Sequence, residues 1–132
     1  QGASAAVILA ETPNRYEAGR IEVALKSLYT DKTHWQKMLK NDIDETIDLL
    51  EEKWELEEKL PSDILDYFAE DSNLWEFNYP VLEYPGKVKS INLDKAPNIE
   101  GVLKGIKGQY LLLEGGYVFN VRKHSGYQVQ VF

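Results

Sequence analysis

Cysteine is absent from the 132 residues, histidine occurs twice and methionine once. Without cysteine the chain has neither a disulfide framework nor a thiolate metal site. The two histidines, His34 and His124, stand at no regular spacing to other ligand types, so they do not read as a metal site either. No apolar run approaches the roughly 18 residues of a membrane span. No signal peptide opens the sequence, so a cytoplasmic location is expected and a membrane partner is not. A phosphate-binding glycine loop, a dinucleotide fingerprint and a nucleophile turn around serine are all missing. What is present is a 43% hydrophobic composition without low-complexity runs, enough for one core or a small core plus a satellite.

Charge is segregated along the chain. Residues 1–40 hold six bases and four acids, whereas residues 41–72 hold thirteen acids and two lysines, a net of −11. Residues 73–85 add two acids, and residues 86–132 carry seven bases against three acids. The overall charge of −7 argues against a nonspecific nucleic-acid coat but leaves room for a local basic face at the C-terminal end.

The periodicity changes along the chain as well. Ala5–Ala10 reads as a buried strand and Pro13 as its end. Helices are expected over about 16–29, with Ile21, Leu25 and Leu28 in one stripe, and over a short segment ending at Lys40, with Thr33 and Gln36 at capping-box spacing. A long acidic helix is expected over about 43–59, capped by Asp42 and Glu45 and stopped by Pro61. Its apolar positions fall into two stripes, Ile43, Ile47, Leu50 and Trp54 against Leu49, Leu56 and Leu60, so it needs two neighbours. One of them is either another part of this chain or a partner protein. Ser62 is placed to cap a further short helix. From Leu74 an alternating pattern takes over, with Trp75, Phe77 and Tyr79, then about six strands in all, ending in Tyr127–Phe132. The expected fold is α+β: an N-terminal strand plus helices over 1–72, followed over 73–132 by a small antiparallel β barrel or curled sheet.

The stretch Gly101–Tyr127 holds the sharpest candidate site. Gly115-Gly116 reads as a two-residue hairpin turn, since glycine supplies the positive φ such turns require. Counting down from Glu114 opposite Tyr117 sets Leu113 against Val118, Leu111 against Asn120, Gln109 against Arg122 and Lys107 against His124. Alternation then gathers Lys107, Gln109, Asn120, Arg122 and His124 on one face. Lysine and arginine suit a phosphate, the arginine as a bidentate fork, while Gln109 and Asn120 suit a base edge or sugar hydroxyl. A solvated sheet face would show the same residues. Tyr110 and Phe119 fall on the opposite face and are assigned to the core.

Two blocks carry a family resemblance. Gly-Val-Leu-Lys-Gly-Ile-Lys-Gly-Gln-Tyr-Leu from Gly101, followed by Val-Phe-Asn-Val-Arg-Lys-His-Ser-Gly-Tyr from Val118, resembles the C-terminal signature of the prokaryotic family called domain of unknown function 2797. Gln1–Ala6, Thr12–Glu22 and Asp31–Leu39 resemble its middle. In that family such blocks follow an earlier cysteine-containing portion, so the resemblance implies the later piece of a longer protein. The order strand, proline turn and helix bearing Ala18-Gly19-Arg20-Ile21-Glu22 also resembles the second half of a GIY-YIG nuclease domain. That resemblance matches Glu22 to a metal-binding glutamate, with a divalent ion expected only where the whole domain is present. The tyrosine-bearing strands and the helix with the catalytic arginine would precede Gln1, and neither Arg15 nor Arg20 matches that arginine. For this chain alone the favoured reading of Glu22 is a surface partner of Lys26, since one carboxylate is not an active site.

The chain by itself is therefore expected to bind no cofactor and to cut nothing. The leading expectation is a nucleic-acid-associated module with a basic hairpin face. The alternatives are a non-enzymatic protein-interaction module using the acidic helix, tested at Trp54, and a small-anion pocket at the hairpin. The lone N-terminal strand is expected to find a partner strand, from a missing N-terminal portion or from another copy.

Overall fold

A computed structural model describes residues 2–30 and 32–132. Its elements are β1 (Ala5–Ala6), α1 (Arg15–Leu25), α2 (Trp35–Lys40), α3 (Leu49–Glu57), α4 (Ser62–Leu65), β2 (Trp75–Glu76), β3 (Lys89–Ile91), β4 (Leu103–Lys107), β5 (Tyr110–Leu113) and β6 (Tyr117–Asn120). The α+β class is as expected. The described residues group into two compact units: a sheet unit of residues 2–3, 34–43 and 78–132, and a helical unit of residues 4–30, 32–33 and 44–77. The sheet unit holds nine bases and five acids, a net of +4; the helical unit holds six bases and sixteen acids, a net of −10. No helix among the described residues is long and apolar enough to cross a membrane.

In the helical unit, β1 pairs antiparallel with β2, Ala5 opposite Glu76 and Ala6 opposite Trp75. Ala10 then bridges Phe68, and Ala69 N–H reaches Leu9 O at 2.9 Å. One partner of the N-terminal strand thus lies within the chain itself.

Helix α1 begins at Asn14, whose side chain accepts from Glu17 N–H at 3.0 Å. It ends at Leu25, short of the expected Tyr29, where Leu28 and Tyr29 are exposed and no burial rewards another turn. The acidic helix also starts later than its capping pattern suggests. Asp44 folds its carboxylate back onto Thr46 N–H at 3.0 Å, a local turn that competes with helix. Asp48 is the cap instead, accepting from Leu50 N–H at 2.9 Å and Glu51 N–H at 3.1 Å. Ile43 and Ile47 therefore fall outside α3 and are exposed, so the expected outer stripe is broken, while Leu56 is buried. Two smaller caps also differ: His34 starts α2 without a side-chain bond, and Pro61 occupies the position before α4.

The sheet unit is a four-stranded sheet in the order β3-β6-β5-β4. β4, β5 and β6 run antiparallel, but β3 runs parallel to β6, so the sheet is mixed where an all-antiparallel one was expected. The order leaves β3 and β4 at its two ends, and these strands do not close into a barrel. Residues 127–132 form no strand. The outer edge of β4 is occupied by the segment around Val81: Leu82 N–H donates to Lys104 O at 2.8 Å and Ile106 N–H to Pro80 O at 3.0 Å. Gly105 makes that crossing possible, because a Cβ there would stand 2.7 Å from Val81 Cγ2.

The hairpin register differs from the expected one by a single residue. Leu113 pairs with Tyr117, Leu112 with Val118, Leu111 with Phe119 and Tyr110 with Asn120. The loop holds three residues, Glu114–Gly116, and not two. Both glycines take positive φ, and a Cβ on Gly116 would lie 2.1 Å from Lys87 O, so the backbone leading into β3 crosses at that point. Because strand side chains alternate, this slip reassigns the faces. A further hairpin turn at Gly108 and Gln109 sets Lys107 against Tyr110, so Lys107 does not reach along β6 at all.

Candidate functional site

The four paired strands define two faces by register. One presents Ser90, Val118, Leu112 and Gly105 in a row, then Asn120, Tyr110 and Lys107. The other presents Lys89, Tyr117, Leu113 and Leu103, then Ile91, Phe119, Leu111 and Ile106. Helix α2 covers the first face. Leu39, Tyr110, Leu112 and Val118 form its core, with Trp35, Met38, Val81 and Val88 packed around them. Trp35 stacks on Tyr110 with ring centroids 6.0 Å apart.

Lys107 belongs to this covered face. It is only 1% exposed, and its Nζ donates to Asn41 Oδ1 at 2.9 Å. The rings of Tyr84 and Tyr79 lie 4.9 and 5.4 Å from the same nitrogen. Asn41 ends α2 in the left-handed conformation, φ 58°, with its N–H on Met38 O at 3.2 Å. One residue thus terminates the helix and holds the lysine. Burial pushes the Lys107 ammonium below its ordinary pKa.

The remaining members of the expected cluster go elsewhere. Gln109 sits half-buried in the turn between β4 and β5. Asn120 ends β6, and its Oδ1 accepts from Lys123 N–H at 3.1 Å. Arg122 is exposed at the start of a short 3-10 turn, where no ion pair engages it among the described residues. His124 is buried, stacked on Phe119 at 4.5 Å, with Nδ1 2.8 Å from Asn120 O. Its Nε2 faces Leu93 N–H at 3.2 Å and Asn92 Oδ1 at 3.1 Å, so both ring nitrogens are engaged inside the fold. Of the five residues, a direct hydrogen bond joins Asn120 and His124; none links Lys107, Gln109 and Arg122 to one another.

The second face is covered only in part, by His124 stacked on Phe119 and by the passage of Gly101 beside Leu113. Leu103, Ile106 and Tyr117 remain 47%, 42% and 43% exposed, whereas Leu112 and Val118 across the sheet are at 1% and 0%. Lys89 lies over the Tyr117 ring at 5.0 Å. Lys104, in the bulge between Leu103 and Gly105, pairs with Glu114 at 3.4 Å. The result is an apolar surface flanked by lysines.

In the helical unit, Glu22 stands on the outside of α1 with its side chain 72% exposed, 3.7 Å from Lys26 Nζ. No group of three or more acidic, histidine or cysteine residues converges to hold a metal among the described residues. Arg20 is tied to Glu17 at 2.8 Å and to Asp63, linking α1 to α4. The exposed side of α3 holds Glu51, Trp54 and Glu55, and its C-cap Glu58 continues them at helical spacings along one stripe. Trp54 leans on Phe68 at 5.8 Å, and beneath it Lys53 is buried, its ammonium donating to Asp71 O.

A family model described as Protein of unknown function (DUF2797) matches residues 1–129. The chain belongs to that family. No curated protein and no solved structure matches it.

In this DUF2797 protein, the open part of the second sheet face lies apart from the five expected site residues. A signal for it was present in Tyr110-Leu-Leu-Leu113, where apolar side chains occupy both parities of one strand. Such a run marks a strand whose two faces both call for cover.

Proposed function

We propose that this DUF2797 protein is a non-catalytic binding module that engages a protein partner through the free face of its four-stranded sheet. The observation that carries this reading is the contrast between faces: Leu103, Ile106 and Tyr117 are half in solvent, while the α2 side is closed. A surface dominated by aliphatic side chains favours a protein partner, because single-stranded nucleic acids bind through several exposed aromatic platforms. Glu22 has no part in this reading, since its carboxylate is paired with Lys26. The test is affinity capture from a cell extract with the wild type and Ile106→Glu in parallel. A defined set of proteins retained by the first and lost by the second, with thermal unfolding unchanged, is the expected result. Identical capture by both would remove the sheet face from consideration.

A second reading rests on Arg122 and Lys123, consecutive exposed cations in a unit of net charge +4. They offer two phosphate contacts. Anisotropy of labelled DNA and RNA oligonucleotides at low and high salt checks this reading. Binding that weakens steeply with salt and on the double change Arg122→Ala, Lys123→Ala supports it; no binding at low salt dismisses it. Lys107 and His124 are not expected to contribute, being buried and engaged.

A further inference from the structure

We infer that the occupant of the free sheet face is a second copy of this chain, which docks its α3 there; this rests on the binding-module reading above. A sheet that is apolar on both sides is stably covered by helices on both sides. Here α2 covers one side through Leu39 and Trp35, while on the other side, past the His124 ring on Phe119, Leu103, Ile106 and Tyr117 stay 47%, 42% and 43% exposed. The complementary surface occurs in the same sequence. Along α3 and its C-cap, Trp54 is exposed between Glu51, Glu55 and Glu58, an aromatic anchor amid carboxylates. The sheet face presents the matching arrangement, an apolar centre with Lys89 and Lys104. The wider charges agree, +4 for the unit that carries the sheet and −10 for the unit that carries α3.

The intracopy pairs set the competition to be overcome. Lys104, itself half-buried, already has Glu114, whose side chain is exposed, and Glu55 already has Lys59 at 3.5 Å in an exposed setting where such a pair contributes little. Exchanging them for intermolecular pairs beside a buried Trp54 removes apolar surface from water on both partners. Lys89, poised over Tyr117, would then lie between an aromatic ring and a carboxylate.

Sedimentation velocity on the intact chain over a wide concentration range tests the inference. The expected result is a mass that rises with concentration and falls back towards the monomer as salt shortens the screening length from about 10 Å at 0.1 M to about 3 Å at 1 M. Lys89→Glu should weaken association about tenfold, as should the pair Glu51→Lys, Glu55→Lys. Mixing the two variants should restore assembly, because one supplies an intact helix face and the other an intact sheet face. These charge reversals lie on exposed positions and leave the buried residues untouched, so loss of folding does not obscure the outcome. A monomer at every concentration overturns the inference, as does association indifferent to salt and to both variants. If the chain stays monomeric while Ile106→Glu still loses captured proteins, the occupant is another protein and only this inference fails. If Ile106→Glu changes neither mass nor capture, the binding-module reading fails with it.

Discussion

The two faces of the sheet are built from the same strands and the same kinds of residue, yet one is finished and the other is not. Leu112 and Val118 are closed in by Leu39 and Trp35, while Leu113 and Tyr117, one position away on each strand, are left half open. The difference is not hydrophobicity, since Leu111, Leu112 and Leu113 follow one another in a single strand. It lies in whether a helix of the same unit reaches that side. A residue's contribution to stability should therefore follow its face, and its contribution to recognition should follow the opposite one.

The sharpest way to break that comparison is to empty one position on each face. Leu39→Ala removes a fully buried side chain and should cost about 2–5 kcal/mol, read from urea unfolding. Ile106→Ala, on the open face, should cost about 1 kcal/mol or less, because much of its side chain is already in water. Equal losses would mean that both faces belong to one core.

Next in size is Gly105→Ala. Its added methyl would meet Val81 Cγ2 at 2.7 Å and Val81 Cα at 2.8 Å. The second of these is backbone, so the crossing segment itself must shift, at a cost of about 1–3 kcal/mol. Combining it with Val81→Ala should recover only part of the loss. Full recovery would show that the crossing is held by side chains and that β4's edge is less closely covered than the α2 side.

Lys107 sharpens the comparison through pH. The folded protein holds this ammonium below its ordinary value of 10.5, because burial penalises the charged form. Between the folded and unfolded values the unfolded chain binds more protons, so stability should rise with pH across that interval. Measured as the difference between wild type and Lys107→Met, wild-type stability should climb toward pH 10.5, the Met variant serving as the flat reference. The difference also cancels Tyr29, whose phenol is raised by its hydrogen bond to Glu52 and which acts in the opposite sense. Parallel curves for the two proteins would place Lys107 in a solvated site and contradict its burial.

The α+β class and most elements were legible from periodicity because apolar spacing reports directly on burial. The element edges were less so. Asp42, Asp44 and Asp48 are chemically equal candidates for the acidic helix cap, and only the local bond from Asp44 to Thr46 decides against the earliest start. The expected gathering of the five polar side chains on one face turned on one residue of register. Two adjacent glycines permit either a two- or a three-residue loop, and the choice depends on the close passage of Lys87 O past Gly116, a contact from some thirty residues upstream. His124 and Lys107 read as binding groups since nothing local shows that Asn92, Asn120 and Asn41 will engage them. The parallel pairing of β3 with β6 is likewise a long-range choice with no local marker.

Lys89→Ala should have the smallest effect on stability and is the most informative for recognition. Its ammonium lies 5.0 Å from the Tyr117 ring at an exposed position, a geometry worth about 0.5–1 kcal/mol. Thermal unfolding should therefore move by about 1–5 °C, since a chain of 132 residues falls between the domain sizes that shift by about 4–8 °C and by about 2–4 °C per kcal/mol. Concentration-dependent association should nevertheless drop severalfold, because that lysine supplies the positive charge that the inferred dimer would set against the glutamates of a second copy's α3. Comparable losses in both measurements would mean that the open face is part of the folding core. Little change in association would leave the hydrophobic centre around Ile106 to act without electrostatic guidance.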